Sequence, residues 1–149
     1  MSVKSCTDVL SKVEEIAGLA GYKVSRHPSG GLLVVAFDMG RGRAQNVFIA
    51  PCGTTPDGKN VVTISSPCMA VKKGLFKGIG RAQALDLLRR NAMLKFGHFA
   101  IASAGDCEGV MVCATQIVET MEIEEFEALV NTVAIVADEY EREHGQDRF

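Results

Sequence analysis

Residues 85–113, LDLLRRNAMLKFGHFAIASAGDCEGVMVC, decide the fold class because their hydrophobic period changes part way along. Leu85, Leu88 and Ala92 recur at helical spacing, which predicts a short helix over about Ala82 to Met93. FGHFAIAS and GVMVCATQIV, which follow, are apolar segments of strand length. AGDCE between them predicts a hairpin turn, because Gly and Asp tolerate the backbone angles that a tight turn requires. The stretch therefore predicts a helix and a β-hairpin, and it contains no recognised catalytic motif.

The residues before this stretch predict one helix and a meander of strands. In CTDVLSKVEEIAGLAG, residues 6–21, apolar side chains recur at helical spacing and form one stripe. Closely spaced turn signals then separate YKVSR, LLVVAF, AQNVFIA and NVVTISS, which are rich in strand-forming residues. NVVTISS alternates, so we expect one face of this strand to meet solvent. LLVVAF does not alternate, which predicts a strand that is covered on both faces or lies at the centre of the sheet.

The last segment, from about Glu122 to Glu143, predicts the longest helix. Its apolar stripe repeats at spacings of three and four and includes Phe126, Val130 and Val133, which we expect to anchor the helix on the sheet. The resulting order is a helix, three or four strands, a helix, two or three strands and a helix. This order predicts an α+β fold in which three helices pack on an antiparallel sheet. No repeat or long linker divides the chain, so residues 1–149 are expected to form a single domain.

Length and composition agree with an ordinary globular protein. The chain has 149 residues, of which 47% are hydrophobic and 23% are charged. No apolar run has the length that spans a bilayer, and the N-terminal residues lack the pattern of a secretory signal. We therefore expect a cytosolic protein without a membrane contact.

Five cysteines and three histidines are the candidates for covalent or metal chemistry. The cysteines are odd in number and form no C-x-x-C pair, so we expect mostly buried thiols and no disulfide framework. His98 with Cys107 or Cys113 can approach across the predicted hairpin, which keeps a small Cys/His-dependent enzyme as an alternative. The sequence shows no zinc-ligand spacing, no phosphate loop and no nucleophile elbow. No metal or cofactor is expected.

Charge is distributed unevenly along the chain. Residues 72–95 are mainly basic, whereas residues 119–143 are mainly acidic. Arg41, Arg43 and the basic segment keep a nucleic-acid-associated regulator as a second alternative. The chain has no tryptophan and no RNP-type aromatic motif, so nucleic-acid binding is the weaker hypothesis.

Two parts of the sequence resemble a known family. The segment that begins LLRRNAMLKFGHF and continues through the last helix is similar to the C-terminal half of the YbjN-like proteins and the class I type III secretion chaperones, in which an LL..N helix end leads into a strand pair and a long acidic helix. AGYKVSRHPSGGLLVVAF and RAQNVFIAP, followed by DGKNVVTISSP, resemble the first half of YbjN-like proteins. The resemblance covers nearly the whole chain and implies a secretion-chaperone-like fold. It also implies a bacterial cytosolic binding protein that forms a homodimer.

Secretion chaperones hold a segment of a partner protein on exposed apolar patches, a function that needs no catalytic residue. We therefore predict a noncatalytic protein-binding module with a protein or peptide partner. Helices two and three carry more apolar residues than their stripes require, which predicts a partner or dimer surface on them. The candidate residues of this surface are Leu87, Arg89, Arg90, Leu129, Ile135 and Val136. For the dimer contact, composition does not choose between helices two and three, whereas the resemblance favours the region around helix two.

Overall fold

The computed structural model describes residues 6–71, 78–104 and 107–144. The elements, in chain order, are α1 (Cys6–Leu19), β1 (Val24–Arg26), β2 (Leu33–Gly40), β3 (Arg43–Thr54), β4 (Asn60–Val71), α2 (Arg81–Met93), β5 (His98–Ala104), β6 (Cys107–Ile117), a short 3-10 helix (Val118–Thr120) and α3 (Ile123–Glu143). This order confirms the predicted α+β class, the three helices and the antiparallel pairing of β5 with β6, whereas residues 105–106 of the predicted AGDCE turn lie outside the described residues.

The strands described form one antiparallel sheet in the order β1-β2-β3-β4-β6-β5. β3 and β4 have 12 residues each and occupy the middle of the sheet. The two edges differ, because β1 has three residues and β5 has seven. A seven-residue edge strand offers more unpaired backbone groups than a three-residue one, unless something covers it.

One face of the sheet, here called the covered face, carries the helices and the core. Leu33, Ile49 and Ile64 are register partners on β2, β3 and β4, and all three are fully buried. α1 packs over β1 and β3, where Leu10 and Val13 are also fully buried. A row of large branched side chains across neighbouring strands thus provides a continuous surface on which the helices pack.

The third helix packs along β3, β4 and β6. Phe126, Val130 and Val133 are fully buried, which confirms the predicted anchor residues. The helix begins with a capping box, in which the Glu122 and Glu125 side chains each accept a hydrogen bond from the other residue's backbone N–H. This cap satisfies two backbone donors that the first turn leaves unpaired, and it explains why α3 begins where it does.

The other face of the sheet, here called the open face, is covered by none of the described helices. Leu33 and Val35 point to the covered face, whereas Val34 and Ala36 point to the open face. Within a single copy of the chain, the prediction that LLVVAF is covered on both faces, or central in the sheet, is therefore wrong. The run lacks alternation because the open face is itself apolar.

The predicted stripe of the second helix is also wrong. Leu85 and Leu88 are 39% and 65% exposed, and Ala92 is exposed as well. Leu87, outside the predicted stripe, is the residue of α2 that enters the core. α2 lies over the edge strand β5, where there is little sheet to cover a full stripe. Leu85 and Leu88 consequently remain at the surface.

Candidate functional site

Side-chain contacts fix α2 against the C-terminal half of α3. The Gln83 side-chain amide donates a hydrogen bond of 2.9 Å to the Tyr140 hydroxyl. Arg90 donates a hydrogen bond of 2.6 Å to Glu143, and its guanidinium lies 5.4 Å from the centre of the Tyr140 ring. Pairing with Arg90 lowers the pKa of Glu143, so this carboxylate stays ionised near neutral pH. The position of α2 is therefore defined by polar contacts as much as by the burial of Leu87.

Asn91 attaches α2 to the edge strand. Its side-chain amide donates a hydrogen bond of 3.1 Å to the Phe99 carbonyl, and its carbonyl oxygen accepts one of 2.6 Å from the Phe99 N–H. Asn91 thereby pairs with Phe99 as a residue of a neighbouring strand does. The edge of β5 is closed at this position, which reduces the unpaired strand that the fold exposes.

A first groove of about 240 Å³ lies between α2 and β5. Leu87 and Phe99 line its inner part and belong to the core. Leu88 and Ile101 also line the groove and are 65% and 49% exposed. The polar group among the lining side chains is that of Asn91, whose amide is already paired with Phe99. This groove therefore exposes apolar side chains to solvent, and the one polar side chain among its described lining residues already has a hydrogen-bond partner.

A second groove of about 320 Å³ separates α2 from α3. Val136 and Leu94 form apolar walls, and Met93 at its rim is 83% exposed. Arg89 and Glu139 place opposite charges along the same groove. Flexible methionine at a rim adapts to partners of varied shape, and the charges favour a defined orientation.

A third depression of about 480 Å³ lies beside the start of β5 and the first turns of α3. Ala114 and Leu129 are buried residues of its lining, whereas Lys95, His98 and Glu124 are exposed. An apolar floor with charged groups of both signs around it is typical of a ligand-binding cleft. The three depressions adjoin α2 or the connection that follows it, and we call them together the α2 surface.

The structure places the six predicted surface residues as follows. Five of them line the α2 surface: Leu87 in the first groove, Arg89, Arg90 and Val136 in the second, and Leu129 in the third. Leu87 and Leu129 are buried, so they form walls and do not project to a partner. Ile135 is 48% exposed on α3 and lies outside the lining of the grooves.

Asn91 and Ile101 belong to this site, and the sequence pattern did not single them out. The LL..N segment contains the one available signal for Asn91, although its role depends on the approach of β5. Ile101 resembles any apolar strand residue in the sequence. Only its place on an edge strand leaves it exposed.

Of the residues proposed for Cys/His chemistry, His98 and Cys113 are neighbours in the structure. His98 and Cys113 are register partners of β5 and β6, so their side chains are neighbours on the open face. Burial raises the pKa of the Cys113 thiol, which disfavours the reactive thiolate. Burial, with a smaller contribution from the charge of Glu141, raises the pKa of Cys68 to about 12. The described thiols therefore lack the low pKa of a nucleophilic cysteine, and the side chain of Cys107 lies outside the described residues.

The described residues contain neither a cluster of metal-ligating side chains nor a helix that could span a membrane. Within residues 6–71, 78–104 and 107–144, no group of three or more His, Cys, Asp or Glu side chains is arranged to hold a metal ion. None of the helices in these ranges is both long and apolar enough to cross a membrane.

The cations proposed for nucleic-acid contact are dispersed where the structure describes them. Arg43 is paired with Asp138 on the covered face. Arg41 is exposed in the turn between β2 and β3, and Arg81 begins α2. Lys72, Lys73 and Lys77 lie outside the described residues. The described cations do not support the alternative of a nucleic-acid-associated regulator.

Comparison with known proteins identifies the fold. No protein-family model matches the chain, and no curated protein matches it. The structure is similar to that of YbjN, described as a putative transcription regulator from E. coli, with a TM-score of 0.57, 12% identity and 91% of each chain covered. It is also similar to the Yersinia pestis type III secretion chaperone SycH in complex with a stable fragment of YscM2. Here the TM-score is 0.52 and the identity 14%, with 89% of this chain and 98% of SycH covered.

These similarities confirm the fold that the sequence resemblance implied. The chain has the α+β fold of YbjN and of the secretion chaperones, and the match extends over about nine tenths of its length. At 12% and 14% identity the comparison establishes architecture, while function has to be argued from the surface of this chain.

Proposed function

We propose that this chain is a noncatalytic protein-binding module of the bacterial cytoplasm, which acts as a homodimer and holds a polypeptide segment of a partner on the α2 surface. The observation that carries this proposal is the exposed apolar pair Leu88 and Ile101, on either side of a groove with few polar groups. Soluble domains rarely leave such surface beside an open groove without a partner for it.

The form of the α2 surface favours a polypeptide. Its three depressions are shallow and neighbouring, so a chain several residues long can contact more than one of them. Apolar walls provide contact area, and Arg89, Glu139 and Lys95 provide charges at the rims. A surface with an apolar centre and a charged rim is typical of protein recognition.

Three further observations support this function. SycH, with the same fold, was captured with a protein fragment. The raised pKa of Cys113 disfavours catalysis by this thiol. The paired state of Arg43 and the dispersal of Arg41 and Arg81 disfavour the regulator alternative.

A peptide array tests the proposal. Purified protein is applied to an array of unrelated fifteen-residue peptides, a length of about 50 Å when extended, and binding is quantified by fluorescence. We expect retention on a subset of peptides rich in apolar residues. Leu88→Glu should weaken that retention by about tenfold or more, because it places a charge inside the first groove.

Leu19→Glu is the matched control. Leu19 is a 68% exposed leucine at the end of α1, the helix that packs over β1 and β3. Its substitution should leave peptide retention unchanged. Absence of retention by the parent protein, or equal losses for both variants, would contradict polypeptide binding on the α2 surface.

A further inference from the structure

The open face carries a continuous row of side chains across five strands. Val34 pairs with Phe48, Phe48 with Ser65, Ser65 with Cys113, and Cys113 with His98. A parallel row beside it contains small residues and runs from β3 to β6. Because register partners on one face lie about 5 Å apart, these rows form one surface.

This surface lacks charge. Among side chains that point to the open face from the described strands, Asp38, near the end of β2, is the one carboxylate, and none belongs to Lys or Arg. His98, at the opposite end of the central row, is the one titratable imidazole there. An antiparallel sheet face in contact with water usually carries many charged side chains. The open face therefore has the composition of a buried surface, although no described helix buries it.

The shape of the open face also differs from that of the α2 surface. Small side chains dominate its centre, as in the row Ala50, Thr63 and Thr115. The first two grooves lie elsewhere on the molecule, whereas the third depression adjoins one end of the open face, where His98 and Thr115 belong to both. A flat face with short side chains allows another flat face to approach closely, as in the packing of two sheets about 10 Å apart.

We infer that the open face is where two copies of this chain meet, sheet against sheet about a twofold axis. This inference rests on the homodimer of the proposed function and adds the location of its contact, which differs from the region around helix two that the sequence resemblance favours. A twofold contact places a surface against itself, so charges near the axis meet like charges. A face without charge over its central strands avoids this repulsion. A different partner requires no such neutrality and is usually oriented by complementary charges.

The area is sufficient for a stable dimer. β1 is too short to add much area, and the other five strands at a spacing of about 4.8 Å span about 19 Å. The open-face residues of β4, from Val61 to Ala70, extend over about 27 Å along the strand. Each copy thus contributes about 500 Å², and the total of about 1,000 Å² reaches the area that a biological interface requires.

Charge insertion tests the inference. Thr63 is half-buried at the middle of β4, on the open face. In sedimentation experiments the parent protein should show a mass near twice the 16.0 kDa of the chain. Thr63→Lys and Thr63→Glu should each raise the dimer dissociation constant by about tenfold or more, because each places like charges in a desolvated contact. Leu88→Glu should remain dimeric, and circular dichroism should show that all three variants are folded.

A second measurement needs no variant. Cys113 lies in the central row, so dimerisation should shield it from alkylation. Dilution of the parent protein from dimer to monomer should accelerate labelling of Cys113 several-fold. Dimeric Thr63 variants, a monomeric Leu88→Glu, or labelling independent of dilution would overturn the inference. A monomeric parent protein would also overturn it and remove the proposed homodimer, whereas retention on the peptide array would show that polypeptide binding survives.

Discussion

The two faces of the sheet are both apolar, but their side chains differ in size and in what covers them. On the covered face, Leu33, Ile49 and Ile64 form a fully buried row beneath the helices. On the open face, Ala50 and Thr63 are paired small residues that remain partly exposed. Large branched side chains fill a core, whereas small uncharged ones leave a flat surface. Absence of charge, more than presence of large apolar residues, distinguishes the open face from an ordinary solvated sheet.

The largest effect should come from the covered face. Phe126→Ala should lower the free energy of unfolding by about 3 to 5 kcal/mol, because the ring is fully buried and also contacts Tyr22 edge to face. Ile135→Ala on the same helix is the control, and it should change stability by about 0.5 kcal/mol or less. Denaturant unfolding at one protein concentration measures both. Equal effects would mean that α3 packs with a different side toward the sheet.

A pair of neighbouring residues sharpens the comparison of the faces. Val62→Thr should destabilise the protein by about 1 to 3 kcal/mol, because it places a hydroxyl in the fully buried layer beneath the helices. At a protein concentration at which the chain is monomeric, Thr63→Val, one residue further along β4, should change stability by about 0.5 kcal/mol or less, because its side chain lies on the open face, which none of the described helices covers. Valine and threonine have nearly equal volumes. The difference between the two changes in the free energy of unfolding therefore reports the environments of the two positions. A destabilisation by Val62→Thr matched by an equal stabilisation by Thr63→Val would show that the two faces are equally buried.

The two faces of the sheet meet at its edge strand β5, to which the Asn91 side chain attaches α2. Asn91→Ala should destabilise the protein by about 1 to 2 kcal/mol, because the N–H and C=O of Phe99 lose their partner. Asn91→Asp keeps the acceptor for the Phe99 N–H and should cost less. Hydrogen exchange at the Phe99 amide should accelerate in Asn91→Ala and less in Asn91→Asp. Unchanged exchange in both variants would show that α2 does not close this edge.

The smallest effect concerns reactivity alone. At neutral pH, Cys113 should react with an alkylating reagent more slowly than a free cysteine, because burial raises its pKa. Cys68, with a pKa of about 12, should remain unlabelled in the folded protein. The rate for Cys113 should rise with pH as its thiolate forms. Fast labelling of Cys113 near neutral pH would instead support the Cys/His-dependent enzyme.

Local sequence patterns were sufficient to predict buried residues where an element packs with one side against a broad surface. The α3 stripe of Phe126, Val130 and Val133 was predictable because a long helix on a sheet buries a regular stripe. The same reasoning failed for Leu85 and Leu88, because α2 lies at the edge of the sheet and only part of its apolar side is covered. Apolar periodicity indicates which side of a helix avoids water, but not whether this chain or a partner covers it.

The sequence by itself determined the fold class, the order of the elements and the core side of α3, because hydrophobic period and turn chemistry act over a few neighbouring residues. It also indicated helices two and three as a surface for partners. Only the tertiary structure decided that Leu87 points inward while Leu88 stays outside, and that Asn91 pairs with Phe99. The open face, too, became visible only with the strand order, because residues distant in sequence form it. Burial and edge position depend on which strands become neighbours, and no local pattern contains that information.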